Sequence, residues 1–307
     1  MSSALTIVQA AAEAAGAQQY PPGTLYVVAT PIGNLADITL RAVHVLALVD
    51  AVACEDTRVS AGLLRHLGLH KPLVALHEHN EFEGAAAIVD RLARGERIAY
   101  ISDAGTPAVS DPGARLVAAV QAAGLRTMPL PGASSALAAL SVAGDADSRG
   151  FAFAGFLPTK AGERRSALQA VLAQPLTQVL FEAPHRIEGL LRELAEAAPE
   201  RRVTVGRELT KQFETVATMP AAELPAWLAA DANRLRGEFV LVVHAPAAAE
   251  AAEGDEALPP EAERVLGLLL AELPLKQAVA LAAQISGAPR NRLYEAGLAL
   301  KNGDSAA

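Results

Sequence analysis

The sequence predicts an α/β protein organised as two α/β domains followed by a small helical domain. From Thr24 onward, short apolar runs alternate with amphipathic segments of helical period, which is typical of a parallel sheet covered by helices. Near Gly150 the strand-like runs follow one another with fewer helices between them, which predicts a more mixed second sheet. Residues 247–260 are rich in Ala, Glu and Pro and have the composition of a linker to three short helical segments.

Composition limits the class of protein. The 307 residues suggest about two domains, and the hydrophobic share of 51% and charged share of 20% are ordinary globular values that exclude a disordered chain. No apolar run of about 18 residues is free of Pro, Gly and charge, which argues against a membrane span. The single cysteine, Cys54, excludes a disulfide scaffold and fits a reducing cytosol, so we expect a cytoplasmic location.

The N-terminal segment and the net charge add two expectations. Residues 1–22 lack the basic start and apolar centre of a signal peptide, and we expect a flexible Ala-rich tail that ends at Pro21 and Pro22. The net charge of −8 counts against non-specific nucleic-acid binding, although it leaves room for a local basic patch.

The first α/β domain is assigned to residues 23–144. The apolar run 25–29 is broken by Pro31 and Gly33, and the following helix is expected to place Leu40, Val43, Leu46 and Leu48 on its apolar side. Asp111 and Pro112 are expected to be the N-cap and first residue of a later helix. The remaining predicted strands are 49–55, 73–77, 97–102 and 127–130, and the remaining helices are 58–67, 81–94 and one that follows residue 135.

The second α/β domain is assigned to residues 145–246 and the helical domain to 261–301. The predicted strands of the second domain are 151–157, 177–182, 202–208, 214–218 and 238–244. Helices are predicted at 261–272, 275–285 and 291–300, and the turn at 286–289 gives the last two a helix-turn-helix appearance.

Three Gly/Pro-rich loops follow strands of the first sheet, at 31–33, 103–107 and 131–135. Ligands bind parallel α/β sheets at the carboxyl ends of the strands, where Gly allows close backbone approach and helix N-termini present free N–H groups. Any one of these loops is more often an ordinary tight turn, and three of them at one sheet edge are stronger evidence for a ligand site. The phosphate-binding patterns G-x-x-x-x-G-K-[ST] and G-x-G-x-x-G are absent, and Ser134 and Ser135 do not form a G-x-S-x-G elbow. The ligand is therefore not named by these loops alone.

Polar clusters follow other strands. The segment His77-Glu78-His79-Asn80-Glu81 resembles a metal patch, but a third ligand at a typical spacing is missing, so a polar strand end is favoured and no metal is predicted. Acidic and basic side chains cluster at the predicted strand ends in residues 182–186 and 206–211. They could position a substrate phosphate, through Arg186 and Lys211, and orient a proton acceptor, which would be Glu182, His185 or Glu208. Taken singly, each of these charged residues is more often part of a surface ion pair.

Longer motifs resemble one family. They are Leu25-Tyr26-Val27-Val28-Ala29-Thr30-Pro31-Ile32-Gly33-Asn34-Leu35, Ala53-Cys54-Glu55-Asp56-Thr57-Arg58, Ser102-Asp103-Ala104-Gly105-Thr106-Pro107, Pro129-Leu130-Pro131-Gly132, Gly155-Phe156-Leu157-Pro158, Pro184-His185-Arg186, Arg207-Glu208-Leu209-Thr210-Lys211 and Gly237-Glu238-Phe239-Val240. In order and spacing, from Gly23 to about Leu300, the chain resembles the tetrapyrrole-methylase superfamily, and within it the branch that methylates a cytidine 2′-hydroxyl of small-subunit (16S) ribosomal RNA.

The resemblance implies a tetrapyrrole-methylase-like fold, a homodimer, and S-adenosylmethionine (SAM) bound between the two α/β halves. It also implies a helix-turn-helix extension that small tetrapyrrole enzymes lack. The residues that match the cofactor-binding positions of the family are Pro31, Ile32, Gly33, Asp103, Ala104, Gly105, Ala108, Ser134 and Ser135.

Two departures from the family pattern stand out. A polar segment that begins at Asp145 and ends at Arg149 replaces an apolar, Pro-containing turn, and Ala183 stands where Ser is common. The second departure means that a hydroxyl at position 183 is not essential.

For methyl transfer to a ribose, we hypothesise that Glu182, His185 or Glu208 accepts the proton and that Lys211 or Arg186 stabilises the developing alkoxide. Three basic groups could hold RNA: Lys160, Arg164 and Arg165; Arg201, Arg202, Arg207 and Lys211; and Arg290, Arg292 and Lys301. One alternative is a methyltransferase that acts on a tetrapyrrole carbon. A second is a non-catalytic protein that binds nucleic acid through the helix-turn-helix.

Overall fold

The computed structural model describes residues 2–76, 81–146, 148–246, 258 and 260–303. The chain divides into two compact units, Met1–Ala245 and Pro246–Ala307. Residues 77–80, which include both histidines of the considered metal patch (His77 and His79), lie outside the described residues, and so do residues 247–257 of the expected linker.

The first sheet of the larger unit is entirely parallel, as the sequence predicts. Its strand order is β3-β2-β4-β1-β5. Alternate side chains enter two different cores: Tyr26 and Ile101 pack on one face, and Leu25 and Tyr100 on the other. The strands are β1 Thr24–Val28, β2 Ala51–Cys54, β3 Leu73–Ala75, β4 Ile98–Ile101 and β5 Arg126–Leu130.

Helices follow these strands close to the predicted positions. The helix at Leu40–Leu48 buries Val43 and Leu46 as expected. Leu40 and Leu48 are exposed instead of buried, and Ala42 and Val45 are the other buried residues of this helix. The helices are α1 Ser2–Ala15, α2 Leu40–Leu48, α3 Thr57–His66, α4 Glu81–Ala93, α5 Ala114–Ala122 and α6 Ser135–Ala143, with a 3-10 helix at Leu35–Asp37.

The N-terminal segment is not a flexible tail. It forms α1, which packs against α2 and buries Ala11 and Ala15. Tyr20 closes this contact, since its ring centroid lies 5.0 Å from that of His44 on α2 and its hydroxyl donates to the Ala15 carbonyl oxygen. The alanines that suggested a tail are small enough to let two helices approach closely.

The second sheet is mixed, also as predicted. Its order is β6-β7-β10-β8-β9, with β6 and β7 parallel and the remaining neighbours antiparallel. The strands are β6 Phe151–Phe156, β7 Thr177–Glu182, β8 Arg202–Arg207, β9 Thr215–Pro220 and β10 Phe239–Val243. The helices are α7 Ala161–Leu172, α8 Ile187–Ala197 and α9 Leu224–Ala229, with 3-10 helices at Ala221–Glu223 and Ala232–Leu235.

Helix α6 connects the two halves of the larger unit. Although it follows the last strand of the first sheet, its buried side chains, which include Ala136 and Ala139, pack against Val179, Val240 and Val242 of the second sheet. Helices α7–α9 cover the opposite face of that sheet. The chain that leaves β5 therefore crosses directly from one sheet to the other.

The smaller unit is helical. It consists of α10 Pro260–Glu272, α11 Leu275–Ser286 and α12 Arg290–Gly303, which enclose a core that includes Leu266, Val279 and Leu293. Gly287, with φ of +70°, ends α11 in the left-handed region. Among the described helices, none combines the length and hydropathy that a membrane span requires.

The polar segment after α6 supplies a buried network at the end of the second sheet. Asp145 accepts hydrogen bonds from the Ala245 amide (2.8 Å) and the Thr177 hydroxyl (2.5 Å). His244 Nε2 lies 2.8 Å from the Thr204 hydroxyl, and its Nδ1 lies 4.0 Å from Asp145. Asp145 thus holds together the start of β7 and the end of β10.

Because of His244, we expect the free energy of unfolding to decrease in mild acid. Burial lowers the pKa of His244, an effect that Asp145 opposes and Arg202 reinforces. Because the folded pKa lies below the unfolded value of about 6.5, the unfolded state binds more protons as the pH falls, and the free energy of unfolding decreases. In thermal melts between about pH 7.5 and 5.5, the wild type should lose more stability than His244→Gln, which cannot titrate. Equal losses in the two proteins would contradict this assignment.

Candidate active site at the carboxyl ends of the first sheet

The three predicted Gly/Pro-rich loops meet, because they follow the adjacent strands β4, β1 and β5. Thr30 and Gly105 exchange two backbone hydrogen bonds (2.9 and 3.0 Å), which join the first loop to the second. The Thr106 hydroxyl donates to the Ala133 carbonyl oxygen (3.1 Å) and joins the second loop to the third. The loops therefore form one connected surface.

A cavity of about 380 Å³ lies on this surface and is closed on its other side by the second sheet. This volume is within the range of about 300–1,000 Å³ that is usual for sites of small ligands and cofactors. The residues that line it are Ile32, Ala104, Gly105, Thr106, Val109, Ser110, Asp111, Ser134, Ser135, Phe156, Phe181, Glu182, Ala183, Pro184, Leu209, Glu238, Phe239 and Val240.

Five of the nine proposed cofactor-binding residues line the cavity: Ile32, Ala104, Gly105, Ser134 and Ser135. Gly105 has φ of +80°, and a β-carbon there would lie 3.3 Å from Cγ2 of Ile32. The Ser134 hydroxyl caps α6 by accepting from the Leu137 amide. Glycine at 105 thus keeps the wall of the cavity open where two loops approach each other.

The other four proposed cofactor-binding residues shape the loops without lining the cavity. Asp103 accepts a hydrogen bond from the Asp56 amide (3.1 Å), and Ala108 donates to the Pro112 carbonyl oxygen (3.3 Å). Pro31 and Gly33 lie beside Ile32 in the first loop. A β-carbon at Gly33 would overlap the side chain of Lys211, lying only 2.9 Å from its Cε, so this glycine makes room for a residue of the second half.

The loop after β4 is strained, and its structure corrects one prediction. Ala108 and Ser110 both have φ of +65°, which is uncommon for residues with a β-carbon. Asp111 is not a helix N-cap, because α5 begins only at Ala114, after Gly113 at φ of +123°. The Tyr100 ring packs under Gly113, and its hydroxyl donates to Pro112 (2.8 Å), which holds the turn in an irregular form.

Asp111 lines the cavity instead of capping a helix. Burial raises the pKa of its carboxyl group, and the charge of Asp103 adds to this effect, while a hydrogen bond with Ser102 opposes it. A half-buried carboxylate with a raised pKa in a cavity is typical of functional sites.

Glu182, at the end of β7, is the proposed catalytic residue that lines the cavity. Its side chain is fully buried, and its Oε1 accepts from the Ala183 amide (2.9 Å) and lies 3.0 Å from Nε of Arg186. Within the described part of the chain, its Oε2 has no hydrogen-bond partner. One carboxylate oxygen is therefore held by the protein, and the other is buried without a partner among the described residues.

Glu208 and Lys211 form an ion-paired cluster behind the wall of the cavity. Lys211 Nζ donates to Glu208 (2.9 Å) and to Glu238 (3.0 Å), and the Glu238 amide also donates to Glu208 (2.9 Å). Burial alone would raise the pKa of Glu208, but the hydrogen bonds from Lys211 and the Glu238 amide outweigh it and lower the pKa. Burial likewise favours a lower pKa for Lys211, and its two carboxylate partners outweigh this and raise it. The cluster supports Leu209 and Glu238, which do line the cavity.

Arg186 and His185 do not line the cavity. Arg186 donates to the Leu157 carbonyl oxygen (2.6 Å) and pairs with Glu182, so it orients that carboxylate. His185 is exposed in the turn before α8. Of the five proposed catalytic residues, the structure thus brings Glu182 into the cavity and places the other four around it.

Comparison with known proteins identifies the family. A family model described as Tetrapyrrole (Corrin/Porphyrin) Methylases matches residues 24–225. A protein of Pseudomonas aeruginosa named Ribosomal RNA small subunit methyltransferase I is 53% identical over 277 residues, which are 90% of this chain and 97% of the relative. The chain belongs to the tetrapyrrole methylase family. A relative of the same name from Escherichia coli O157:H7 is 48% identical over 89% of this chain and 94% of its own length.

Further similarities agree with the architecture of this tetrapyrrole methylase. A model described as RsmI C-terminal HTH domain matches residues 256–301, which include the three helices of the smaller unit. A uroporphyrin-III-C-methyltransferase of Thermus thermophilus aligns with a TM-score of 0.50 at 25% identity, over 72% of this chain and 94% of its own. A diphthine synthase aligns with a TM-score of 0.56 at 15% identity, over 72% and 90%, and shows the shared fold.

The cavity suits SAM, the cofactor of this family. Its apolar walls, which include Leu209, Phe239 and Val240, match an adenine ring, and the carboxylates of Asp111 and Glu238 match the positive charges of the sulfonium and ammonium groups. Glycine at position 105 leaves space that a side chain would occupy. The tetrapyrrole methylase is therefore a SAM-dependent methyltransferase.

Several lining residues were not singled out as site residues from the sequence. Asp111 was assigned to a helix cap, and Phe156 and Glu238 entered only as parts of the motifs that carry the family resemblance. Phe181 and Phe239 lie in strands with no polar pattern to mark them. The motifs at 155–158 and 237–240 were the signal that could have found three of these residues, Phe156, Glu238 and Phe239.

Proposed function

We propose that this methyltransferase transfers a methyl group from SAM to the 2′-oxygen of a cytidine in 16S rRNA of the small ribosomal subunit. The observation that carries the proposal is the 53% identity to a small-subunit rRNA methyltransferase over 97% of that relative's length. The match of the C-terminal helices to an rRNA-methyltransferase domain supports it, because a small tetrapyrrole as acceptor gives this domain no role.

In this proposal Glu182 is the proton acceptor. SAM supplies an electrophilic methyl group, so the protein must place the ribose hydroxyl about 3 Å from it and remove a proton. Oε2 of Glu182 accepts that proton, while the Ala183 amide and Arg186 keep the carboxylate in place. Glu208 is a poorer candidate, because its lowered pKa and its partners commit it to Lys211. Lys211 and Glu208 are therefore positioning residues in this mechanism.

The three proposed RNA-binding groups differ in accessibility. Arg207 is buried and donates to the carbonyl oxygens of Arg236 and Phe213, while Lys211 is ion-paired, so the second group is not an exposed basic patch. Arg164 in the first group is paired with Glu193. The third group retains Arg290, which begins α12.

A groove of about 490 Å³ on the smaller unit includes Arg290. It lies between α11 and α12 and is lined by Lys276, Val279, Arg290, Asn291, Tyr294 and Glu295. Cations and amides bind phosphates, and an exposed tyrosine ring can stack on a base. This groove is our proposed RNA contact of the smaller unit.

The double substitution Lys276→Glu and Arg290→Glu should raise the KM for small subunits about tenfold or more and reduce the salt dependence of binding, because each phosphate contact contributes about one unit to the salt slope. Its Kd for SAM, measured by calorimetry, should equal that of the wild type. Arg264→Glu is the matched control, since Arg264 lies in the same unit on α10 and pairs with Glu261. Equal KM values for both variants would contradict a role for the groove.

We also propose a cytoplasmic homodimer. Leu137 and Val142 remain exposed on α6 beside the buried alanines of that helix, which supports burial of this surface against a second copy. Light scattering after size-exclusion chromatography should give twice the mass of one chain, and a single-chain mass at micromolar concentration would contradict the dimer.

The acceptor class is tested by offering methyl-labelled SAM with three acceptors: small subunits that lack the modification, naked 16S rRNA and a uroporphyrinogen. We expect label in subunits or rRNA and none in the tetrapyrrole. Labelling of the tetrapyrrole alone would replace the proposed function by the tetrapyrrole alternative. SAM binding without transfer to any acceptor would also contradict the proposal.

A further inference from the structure

An aromatic cluster reaches from the cavity to an exposed edge of the second sheet. Phe153 and Phe156 lie on β6, the edge strand, and Phe181 lies on the neighbouring β7. The ring centroid of Phe181 is 5.0 Å from that of Phe153 and 5.6 Å from that of Phe156, with interplanar angles of 70° and 68°. These are edge-to-face contacts, which fix the rings against one another.

A β-bulge in β6 puts these rings on one face. Phe153 pairs with Val179, and Phe156 pairs with Phe181. Phe153 and Phe156 are three positions apart on β6, whereas their partners are two positions apart on β7, because the register shifts between Phe153 and Gly155. Without the extra residue, side chains would alternate and Phe156 would point to the opposite face of the sheet. Gly155, at φ of +63°, permits the bulge. The strand geometry thus brings Phe156 to the cavity.

Phe156 lies at the open side of the cavity. It is 54% exposed, whereas the lining residues Leu209, Phe239 and Val240 are at most 8% exposed. Natural edge strands usually avoid exposed apolar side chains, so an exposed ring at the mouth of a site indicates a ligand contact. The enclosed walls suit the adenine of the cofactor, and the exposed Phe156 ring is accessible to a molecule that approaches the cavity from solvent.

We propose that the acceptor base stacks on Phe156, so that the ribose hydroxyl of the same nucleotide enters the cavity beside Glu182. This inference rests on the proposed rRNA acceptor. Proteins recognise unstacked nucleotides by stacking their bases on aromatic side chains. Phe153 and Phe181 act as positioning residues that keep the Phe156 ring in place.

The test compares Phe156→Leu and Phe156→Trp with the matched control Phe151→Leu. Phe151 lies on the same strand and the same face and is similarly exposed, but it does not line the cavity. Removing one base-stacking ring typically weakens binding about 5- to 150-fold, so Phe156→Leu should raise the KM for small subunits by a factor in this range. Phe156→Trp should stay within about threefold of the wild type, because it retains an aromatic face. Phe151→Leu should match the wild type, and SAM should bind all four proteins equally.

An unchanged KM in Phe156→Leu would overturn the inference while the proposed function stands. A weaker SAM Kd in Phe156→Leu would also overturn it, because the ring would then hold the cofactor's adenine. Equal losses in Phe156→Leu and Phe151→Leu would show a contact surface along the whole strand, such as a copy of this chain, and no base-stacking position. If the wild type transfers no methyl group to subunits or rRNA, the proposed function itself fails, and the inference fails with it.

Discussion

Glu182→Gln should lower the single-turnover rate of methyl transfer to small subunits by about 10²–10⁴-fold, the usual contribution of a positioned proton acceptor. The substitution keeps an oxygen that can accept from the Ala183 amide, but it removes the negative charge and the second carboxylate oxygen, which is the proposed proton acceptor. The Kd for SAM should change by less than about threefold, since Gln keeps the size of the side chain and the three loops proposed to hold the cofactor follow strands of the first sheet. Rapid-quench measurements with preloaded SAM separate the two effects.

The loss of an ion pair needs its own control, because Glu182 also pairs with Arg186. Glu193→Gln provides it: Glu193 pairs with Arg164, is largely shielded from solvent and does not line the cavity. Both variants should lose comparable stability in thermal melts, and only Glu182→Gln should lose turnover. A rate for Glu182→Gln within about threefold of the wild type would remove Glu182 from the mechanism and leave Asp111 as the next carboxylate to replace.

The second large effect is expected at Gly105. Alanine there must adopt a left-handed conformation, at a cost of about 1–2 kcal/mol, and its β-carbon would crowd Ile32. To relieve this contact, one of the two loops joined by the Thr30–Gly105 hydrogen bonds must move. Because both loops line the cavity, we expect the Kd for SAM to rise about tenfold or more. Calorimetric titration with SAM measures this directly.

Gly124→Ala is the matched control for Gly105→Ala. Gly124 has φ of +70°, so the substitution introduces the same kind of backbone strain, but a β-carbon there meets no atom within 4 Å, and the residue lies away from the cavity. The two variants should lose similar stability, and only Gly105→Ala should lose SAM affinity. Parallel losses of affinity would indicate a global effect of destabilisation and contradict the placement of the cofactor at Gly105.

The alternation of apolar runs and amphipathic segments was sufficient to predict both sheets, because strand and helix periods differ and the loops between them carry Gly and Pro. The prediction was wrong where one residue pattern is compatible with two different local structures. The alanines of α1 resemble a tail until a partner helix is present, and Asp111-Pro112 has the pattern of a helix start although Tyr100 holds it in a turn. Both errors come from contacts distant in sequence.

The candidate site was predictable to the extent that it follows strand ends. The three loops come together because adjacent strands place their carboxyl ends at one edge of the first sheet, and Glu182 faces them from the end of β7 in the second sheet. Burial and partners could not be predicted in this way: Glu208 and Lys211 looked like catalytic groups, and their mutual ion pair is visible only in three dimensions. The orientation of the Phe156 side chain depends on a β-bulge, and Gly155 is the sequence signal in β6 that indicates this bulge.

The proposed methyl acceptor is the ribose 2′-oxygen of a cytidine. Small subunits that lack the modification should be treated with the protein and methyl-labelled SAM, the rRNA digested to nucleosides, and the labelled nucleoside identified by mass spectrometry. We expect 2′-O-methylcytidine, and an alkali-resistant linkage at that position in undigested rRNA. Label on a base carbon or nitrogen, or on any nucleoside other than cytidine, would contradict it.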